Sequence, residues 1–257
     1  MVVELFSGIG FLPLYVGITL MIAMSYTIIA GGLTYWLLNL GTSHRQPKYQ
    51  HRKTQKAKHR KTTLVNEYRD GIMSCTIIGF NVTIAMYLCN NNKSYMFTNL
   101  TDYTIVYHIL SMIMMWFVTE AFEYAFHYAS HKINFLWQVH KRHHLYSNPT
   151  PLAVFSDNPL DMWVKSSPVI WIPLLFPVLD ITLFSWFSFI SFVYGVYLHC
   201  GYEPTNIPGL PTPHSKYFIS AWHHNIHHKK NIDGNYGLFT KTMDYIFNTV
   251  YDPQTPP

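Results

Sequence analysis

The chain has 257 residues, of which 49% are hydrophobic and only 12% are charged, and its net charge is +5. This composition is typical of a membrane protein rather than a soluble domain, and no nucleic-acid partner is expected. The three cysteines, Cys75, Cys89 and Cys200, form no C-x-x-C pair and show no disulfide framework.

The first apolar segment, residues 11–40, contains no charged residue and exceeds the roughly 20 apolar residues that a bilayer-spanning helix needs. It has no basic leader and no small-residue cleavage site, so we expect an anchor rather than a signal peptide. The Gly31-Gly32 pair would allow a tight hairpin, but no polar turn supports one. The sequence therefore predicts a single crossing.

A strongly basic segment follows at residues 44–70 and carries nine of the 18 Lys and Arg residues. In a short loop beside a membrane span, such an excess marks the cytoplasmic side. Binding to anionic lipids and a nuclear signal are the other interpretations of these charges, and topology alone is favoured over both.

Two further spans are predicted at residues 72–89 and 104 to about 122. The connector between them would be lumenal and holds glycosylation sequons at Asn92 and Asn99. The third span should continue as one helix to His131, because its length at about 1.5 Å per residue exceeds a hydrocarbon core of about 30 Å. Its end would therefore emerge in the cytosol.

Histidines form three boxes at and beyond the end of this third span. His127 and His131 are four residues apart, so both rings would project from one face of a helix. The next two boxes have the spacing H-x-x-H-H and repeat that geometry, although His223 could replace His224 in the third or contact a ligating histidine without binding the metal. The box histidines are His127, His131, His140, His143, His144, His223, His224, His227 and His228.

The number of clustered imidazoles exceeds the three or four protein ligands of a typical zinc site, which indicates two metal ions rather than one. Imidazole binds iron, copper, nickel and zinc, so the spacing does not identify the metal. Isolated histidines, namely His44, His51, His59 and His108, are interpreted as ordinary surface or core residues.

Two carboxylates precede the first box on the same helical stripe. Glu120 is the candidate catalytic residue, because a carboxylate near a ligating imidazole can fix its tautomer. Glu123 is a weaker candidate for the same role. For both side chains, a polar cavity is the other interpretation.

Residues 162–199 are strongly apolar and are interrupted by prolines and by Asp180. Boxes on both sides of this segment must meet at one site, so it should leave and return as a hairpin of two short spans that turns near Asp180, or as a re-entrant pair. His199 ends the hairpin and is a further metal candidate, with a role at the membrane interface as the alternative, whereas His214 is left out. The residues from His223 onward should form a soluble cap over the site.

The predicted fold class is therefore all-α: a multi-pass transmembrane helix bundle with a cytosolic helical cap that carries a histidine-rich di-metal site. N-terminal membrane spans are expected in residues 1–103, with the basic cytosolic loop at 44–70. The catalytic region is expected in residues 104–257.

The order and spacing of the boxes resemble the fatty acid hydroxylase and sterol desaturase superfamily of membrane non-haem di-iron enzymes, over about residues 104–253. The motifs P-T-P-L-A-V-F and P-L-D after box two, H-H-N-I-H-H, and N-Y-G-L-F-T with M-D-Y-I-F are most similar to sterol C-5 desaturases. H-C-G-Y-E-P and the G-N-Y turn are also similar to C-4 methylsterol oxidases, so the subfamily stays open.

The chain departs from the superfamily pattern at three positions. Tyr128 stands where arginine usually follows the first histidine, and Cys200 stands where aspartate is frequent. Asn158 stands where a histidine commonly precedes the proline of P-L-D. Asn158 could replace that histidine only through its amide oxygen or a water.

The resemblance implies that two iron ions held by the histidines oxidise an unactivated C–H bond of a sterol or related lipid with O2. The first expectation is that the enzyme introduces the C5–C6 double bond into a Δ7-sterol. C-4 methylsterol oxidation or hydroxylation of another lipid is the alternative. Electrons would come from NAD(P)H through membrane cytochrome b5 and its reductase, since the chain has no dinucleotide-binding or flavin motif. We expect a multi-pass protein of the endoplasmic reticulum with its site facing the cytosol.

Two other classes of protein are consistent with histidine clusters. A membrane zinc hydrolase or metal transporter also uses them, but a transporter would place its ligands inside the spans, whereas these boxes lie at or beyond span ends. A non-catalytic scaffold is the second class, and the completeness of the boxes argues against it.

Overall fold

Long helices form the frame of the protein. The computed structural model describes residues 8–41, 61–96, 99–176, 180–203, 210–229 and 233–251. Helix α1, Phe11–Tyr26, continues through a π-helical turn at Thr27–Gly31, an α-helical turn at Gly32–Tyr35 and a second π-helical turn at Trp36–Gly41. The other helices are α2 (Lys61–Asn90), α3 (Ile105–Lys132), α4 (Asn134–His140), α5 (Pro159–Ser166), α6 (Pro168–Leu175), α7 (Ile181–Leu198), α8 (Ala221–His227) and α9 (Thr242–Ile246).

The architecture is all-α, as the sequence predicts. The described residues form no named strand, and an isolated antiparallel bridge joins Phe218 to Thr240. Within the part of the chain that the structure describes, four helical segments are long and apolar enough to cross a membrane, at Phe11–Leu38, Thr63–Asn90, Ile105–Lys132 and Ile181–Leu198. The first of them is one continuous helical segment with no hairpin at Gly31 and Gly32, as a single crossing requires.

The third predicted span does continue into the first histidine box. Thr104 caps the start of α3 by accepting a hydrogen bond from the Tyr107 amide, and the helix runs unbroken to Lys132. Ile133 then leaves the helical conformation, and α4 begins at Asn134. His127 and His131 therefore lie on the last two turns of a 28-residue helix.

The second span begins about ten residues earlier than predicted. Residues 61–70, assigned from sequence to the basic loop, belong to α2, whereas residues 44–60 lie outside the described part of the chain. Glu67 and Asp70 are almost fully buried on this extension. Their charges are compatible with the packed helix because each carboxylate has a polar partner, at Thr150 and Arg142 respectively.

The predicted hairpin has a broken first arm. Pro168 starts α6 immediately after α5 ends, since proline lacks the amide needed to continue the helix. The Asn81 side chain of α2 donates hydrogen bonds to the Trp163 carbonyl and to Ser166 Oγ beside the break. The break is therefore stabilised by a polar contact from the neighbouring helix.

Contacts with the connector show where the hairpin turns. The Tyr95 amide, in the connector between α2 and α3, donates a 2.8 Å hydrogen bond to the Pro173 carbonyl of α6. Asp180 then caps α7 by accepting hydrogen bonds from the amides of Thr182 and Leu183. The arm α5–α6 thus runs beside α2 to the connector end, and α7 returns to the histidine end.

Helices α1 and α2 approach each other closely at two glycines. A Cβ atom on Gly79 would lie 2.2 Å from Thr19 Oγ1 and 3.1 Å from the Thr19 Cα atom. A Cβ atom on Gly71 would lie 2.0 Å from the Tyr26 hydroxyl. Small residues at such contacts allow membrane helices to pack backbone against backbone.

Replacing Gly79 with alanine should separate α1 from α2. We expect Gly79→Ala to destabilise the protein by about 1–3 kcal/mol, because the new methyl group would overlap Thr19. Gly32→Ala is the matched control, since its added Cβ meets open space. The measurement is the thermal unfolding midpoint in detergent, and equal midpoints for the two variants would contradict the close contact.

Candidate metal centre

The ends of four helices and one turn bring nine of the ten predicted metal-site histidines together in two groups. In each group, one candidate ligand atom from every residue lies within 4.8 Å of those from the others. The first group is His127, His131, His140, His144 and His227. The second group is His143, His199, His224 and His228. Each group could hold a metal ion.

The second and third boxes are each divided between the two groups. Helix α4 ends at His140, and a 3-10 turn at His143–Leu145 follows, so the expected continuous α-helix over box two is wrong. His140 and His144 enter the first group, while His143 enters the second. In box three, the helical spacing i, i+4 keeps His224 and His228 together and leaves His227 to the first group.

Backbone carbonyls fix the orientation of three rings. The Nδ1 atom of His127 lies 2.9 Å from the Tyr236 carbonyl oxygen, and that of His227 lies 2.8 Å from the Gly234 carbonyl oxygen. The Nδ1 atom of His199 lies 2.7 Å from the carbonyl oxygen of Gly195, one helical turn back. Because a carbonyl only accepts, the proton of each neutral ring is on Nδ1 and the Nε2 lone pair is free to bind a metal.

Two carboxylates contact further rings from the segment after box two. Asp161 Oδ2 lies 2.9 Å from His140 Nδ1, and Asp157 Oδ1 lies 3.1 Å from His143 Nδ1. Both carboxylates are buried, and Asp157 also accepts a 3.0 Å hydrogen bond from Lys165. A carboxylate behind a metal-binding imidazole orients the ring and increases its basicity.

The imidazoles beyond the membrane spans are held in their neutral form. Burial lowers the pKa of both His199 and His227 to about 4. Burial and the neighbouring charges also hold the pKa of His143, His224 and His228 well below the usual range. At neutral pH these rings carry no charge, which is the form that binds a metal ion.

The inward-facing nitrogens fit a divalent transition metal. Buried Nε2 atoms of His127, His140 and His227 have no hydrogen-bond partner among the described residues. The Nε2 atoms of His199 and His224 are 3.1 Å apart. Two nitrogens each about 2.1 Å from one ion and roughly at right angles are separated by about 3 Å. The donor set is therefore suited to metals that imidazole binds.

His223 lies outside both groups. Its Nδ1 atom is 2.9 Å from Ser220 Oγ in the capping box of α8, and its Nε2 atom is 2.7 Å from the Lys241 Nζ atom. The sequence left open whether His223 or His224 joins the cluster. The structure brings His224 into the second group and directs His223 toward Ser220 and Lys241.

Glu120 contacts the tail rather than an imidazole. Its two carboxylate oxygens accept hydrogen bonds from the backbone amides of Phe239 and Thr240 at 3.0 Å and 2.9 Å. This tail also supplies the Tyr236 carbonyl that binds His127. Glu120 therefore positions the tail, and through it one histidine, which is less direct than the expected contact.

A clamp from α2 holds the loop of box two, and the sequence analysis missed it. The Arg142 guanidinium donates to both carboxylate oxygens of Asp70 at 2.7 Å and 2.9 Å, and the Tyr146 hydroxyl donates to Asp70 at 2.7 Å. Bidentate contacts of this kind fix the geometry of both partners. An acidic residue inside a predominantly basic segment is the only sequence signal for this clamp.

An apolar cavity of about 290 Å³ reaches both groups of histidines. Its wall includes Met115 of α3 together with Phe184 and Phe187 of α7. The histidines in the wall are His127 and His140 from the first group and His143, His199 and His224 from the second. A ligand in this cavity would contact the two candidate metal sites together.

Comparison with known proteins identifies the class of the chain. A family model described as fatty acid hydroxylase matches residues 112–249, which is more than half of the sequence. The chain belongs to the fatty acid hydroxylase family. This region contains all nine grouped histidines and both arms of the hairpin.

Three curated relatives of the chain are named as enzymes that act on sterols. The chain is 27% identical to a Delta(7)-sterol 5(6)-desaturase of Schizosaccharomyces pombe, over 67% of this chain and 54% of the relative. It is 26% identical to the lathosterol oxidase of Homo sapiens, over 57% of this chain and 47% of the relative. It is 28% identical to a methylsterol monooxygenase of Aspergillus fumigatus, over 58% of this chain and 51% of the relative.

These similar proteins are oxidoreductases that act on sterols, and the chain spans about half of their length. Within the described residues, this chain has four helices long and apolar enough to cross a membrane. No solved structure matches the chain.

Substitutions of the adjacent residues His223 and His224 should show which of the two binds the metal. We expect His224→Gln to lower the bound metal of the purified protein, because His224 contributes to the second group. His223→Gln should retain the metal, since glutamine can still accept a hydrogen bond from Lys241. The measurement is metal content by mass spectrometry. Equal metal loss in a folded His223→Gln variant would place His223 among the ligands.

The carboxylate behind His140 should tune metal affinity. Asp161→Asn is expected to weaken binding of Fe²⁺ by about 10- to 100-fold in a chelator competition, because the charged partner of Nδ1 is lost. Asp180→Asn is the control, as asparagine also caps helices and Asp180 caps α7. An affinity unchanged by Asp161→Asn would show that Asp161 does not influence the metal.

Proposed function

We propose that the chain is a membrane oxidoreductase with two iron ions, which uses O2 to introduce the C5–C6 double bond into a Δ7-sterol. The observation that carries this proposal is the apolar cavity that ends on both histidine groups. A sterol is almost wholly apolar, which suits the wall of this cavity. The carbons that react must also lie close to both metal sites. The similarity to a Delta(7)-sterol 5(6)-desaturase and to lathosterol oxidase supports this substrate.

In this proposal the nine grouped histidines are the metal ligands. Iron bound there would supply the reduction of O2 and the oxidising power needed to remove hydrogen from an unactivated C–H bond. The carbonyls of Gly195, Gly234 and Tyr236 keep three ligands in one tautomer. Asp161 does the same for His140, and Asp157 Oδ1 lies 3.1 Å from His143 Nδ1.

The cavity wall has the second task, which is to bind the substrate and exclude water. Phe184, Phe187 and Met115 provide apolar contact with the sterol rings. Removing water from the site prevents unproductive reaction of oxidising species with solvent. Five of the grouped histidines form part of the cavity wall, so substrate placement would select the carbon that is oxidised.

Electrons are proposed to come from outside the chain. The sequence has no nucleotide-binding or flavin motif, so NAD(P)H would act through membrane cytochrome b5 and its reductase. We propose that the site faces the cytosol, on the same side as the basic residues 44–70, in the endoplasmic reticulum. Those basic residues could bind an acidic electron donor.

The second candidate function is C-4 methylsterol oxidation. The similarity to a methylsterol monooxygenase over 155 residues favours it, as does the segment H-C-G-Y-E-P around His199. The two reactions act on neighbouring parts of the same ring system, so a small change in substrate placement would distinguish them.

The sterol profile of cells that lack their own C-5 desaturase tests the proposal. Expression of this chain should produce Δ5,7-sterols, and His227→Ala should abolish them because it removes a ligand of the first group. The measurement is mass spectrometry of extracted sterols, with protein level and iron content determined in parallel. An unchanged profile with iron-loaded protein present would exclude C-5 desaturation, and loss of 4-methylsterols would identify the second candidate.

A further inference from the structure

The wall of the apolar cavity contains an acidic side chain, Glu123. Glu123 lies on α3 one turn before His127 and lines the apolar cavity. Among the described residues that line it, only Glu123 and Lys165 carry a formal charge. No hydrogen bond or ion pair joins the Glu123 carboxylate to any described residue, in contrast to Glu120 on the same helix.

The nearby cation does not account for Glu123. Lys165 also lines the cavity, but its Nζ atom donates to Asp157 at 3.0 Å, and Asp157 in turn contacts His143. An unpaired carboxylate beside apolar surface is costly unless a donor reaches it. A ligand that enters this cavity with a hydroxyl group would supply that donor.

We propose that Glu123 accepts the hydrogen bond of the substrate's ring hydroxyl and thereby selects the hydroxyl-bearing end of a sterol for oxidation. The inference rests on the proposed function and deepens it. Four residues of helix separate Glu123 from His127, which is about 6 Å along the axis. In a 3-hydroxysterol, the hydroxyl oxygen is only three bonds from C5 and four from C6.

The rigid ring system turns this contact into a choice of carbon. With the hydroxyl at Glu123, the first two rings lie beside the histidines and the alkyl side chain extends away from them. C5, C6 and a methyl group on C4 would all be within reach, and the end of the side chain would not. The carboxylate therefore favours ring oxidation over side-chain hydroxylation.

The inference is tested by binding rather than turnover. Purified full-length protein in nanodiscs would bind a tritiated Δ7-3β-hydroxysterol, in competition with the same unlabelled sterol or its 3-deoxy analogue. A charge-assisted hydrogen bond contributes about 1.5–3 kcal/mol, so the wild type should prefer the hydroxysterol by about 10- to 100-fold. Glu123→Leu should reduce this preference to about onefold and leave the affinity for the deoxy analogue unchanged.

Two further variants control for shape and polarity. Glu123→Gln keeps the shape and an acceptor oxygen but loses the charge, so its preference should be intermediate, and it tests the contact if the leucine variant does not fold. Ser188→Ala removes a cavity hydroxyl that already donates to the Phe184 carbonyl, so the preference should be unchanged. Metal content confirms that each variant is intact.

Different failures have different meanings. A full preference retained in folded Glu123→Leu, or absent from the wild type, would overturn the role of Glu123 while sterol binding stands. A preference lost only in Thr119→Val would move the contact one turn along α3, to a buried hydroxyl without a partner among the described residues. If the wild type bound neither sterol, the proposed function itself would fail.

Discussion

Close packing of nine imidazoles, six buried and three half-buried, is the constraint on which the rest of the structure depends. Protonated rings would repel one another and lose their hydration, so the cluster is stable only when the rings are neutral. A neutral ring has one N–H group, and three backbone carbonyls and the buried carboxylate of Asp161 accept hydrogen bonds from four of the rings. The remaining lone pairs converge toward the interior, where metal binding would offset the cost of bringing them together.

Helix α3 connects this cluster to the apolar cavity. One helix carries the first histidine box, the unpaired carboxylate of Glu123 and the Glu120 side chain that binds the tail. Relative positions along a single helix are fixed by its geometry, with little freedom for loops to change them. The alignment of a ligand with the histidines is therefore built into the rigid part of the protein.

Features with strong periodic or compositional signals could be predicted from the sequence. The charge-free segment at residues 11–40 predicts the first span. The length of the third span predicts that α3 continues as one helix to His127 and His131. The division of box two could not be predicted, because H-x-x-H-H is compatible with an α-helix and with a helix end followed by a 3-10 turn. Only the latter separates His143 from His140.

The partners of the histidines were also beyond sequence reasoning. Asp157 and Asp161 are visible just after box two, but their spacing does not show which ring each contacts. The Tyr236 contact uses a backbone carbonyl, which any residue would provide, so it has no sequence signature. The choice between His223 and His224 depends on helix register, since one residue rotates a side chain by about 100°.

The Arg142–Asp70 clamp has a consequence for how this protein can diverge. The family match covers residues 112–249, yet Asp70 and Glu67 lie outside it and bind Arg142 and Thr150 within it. Apolar side chains of α2 that would face the bilayer can be exchanged for one another, whereas the positions that contact α1 and box two are constrained. The Arg142 guanidinium requires the Asp70 carboxylate as its bidentate acceptor. A chimera that joined residues 112–249 to the N-terminal helices of another protein would lose this acceptor, which holds box two in place.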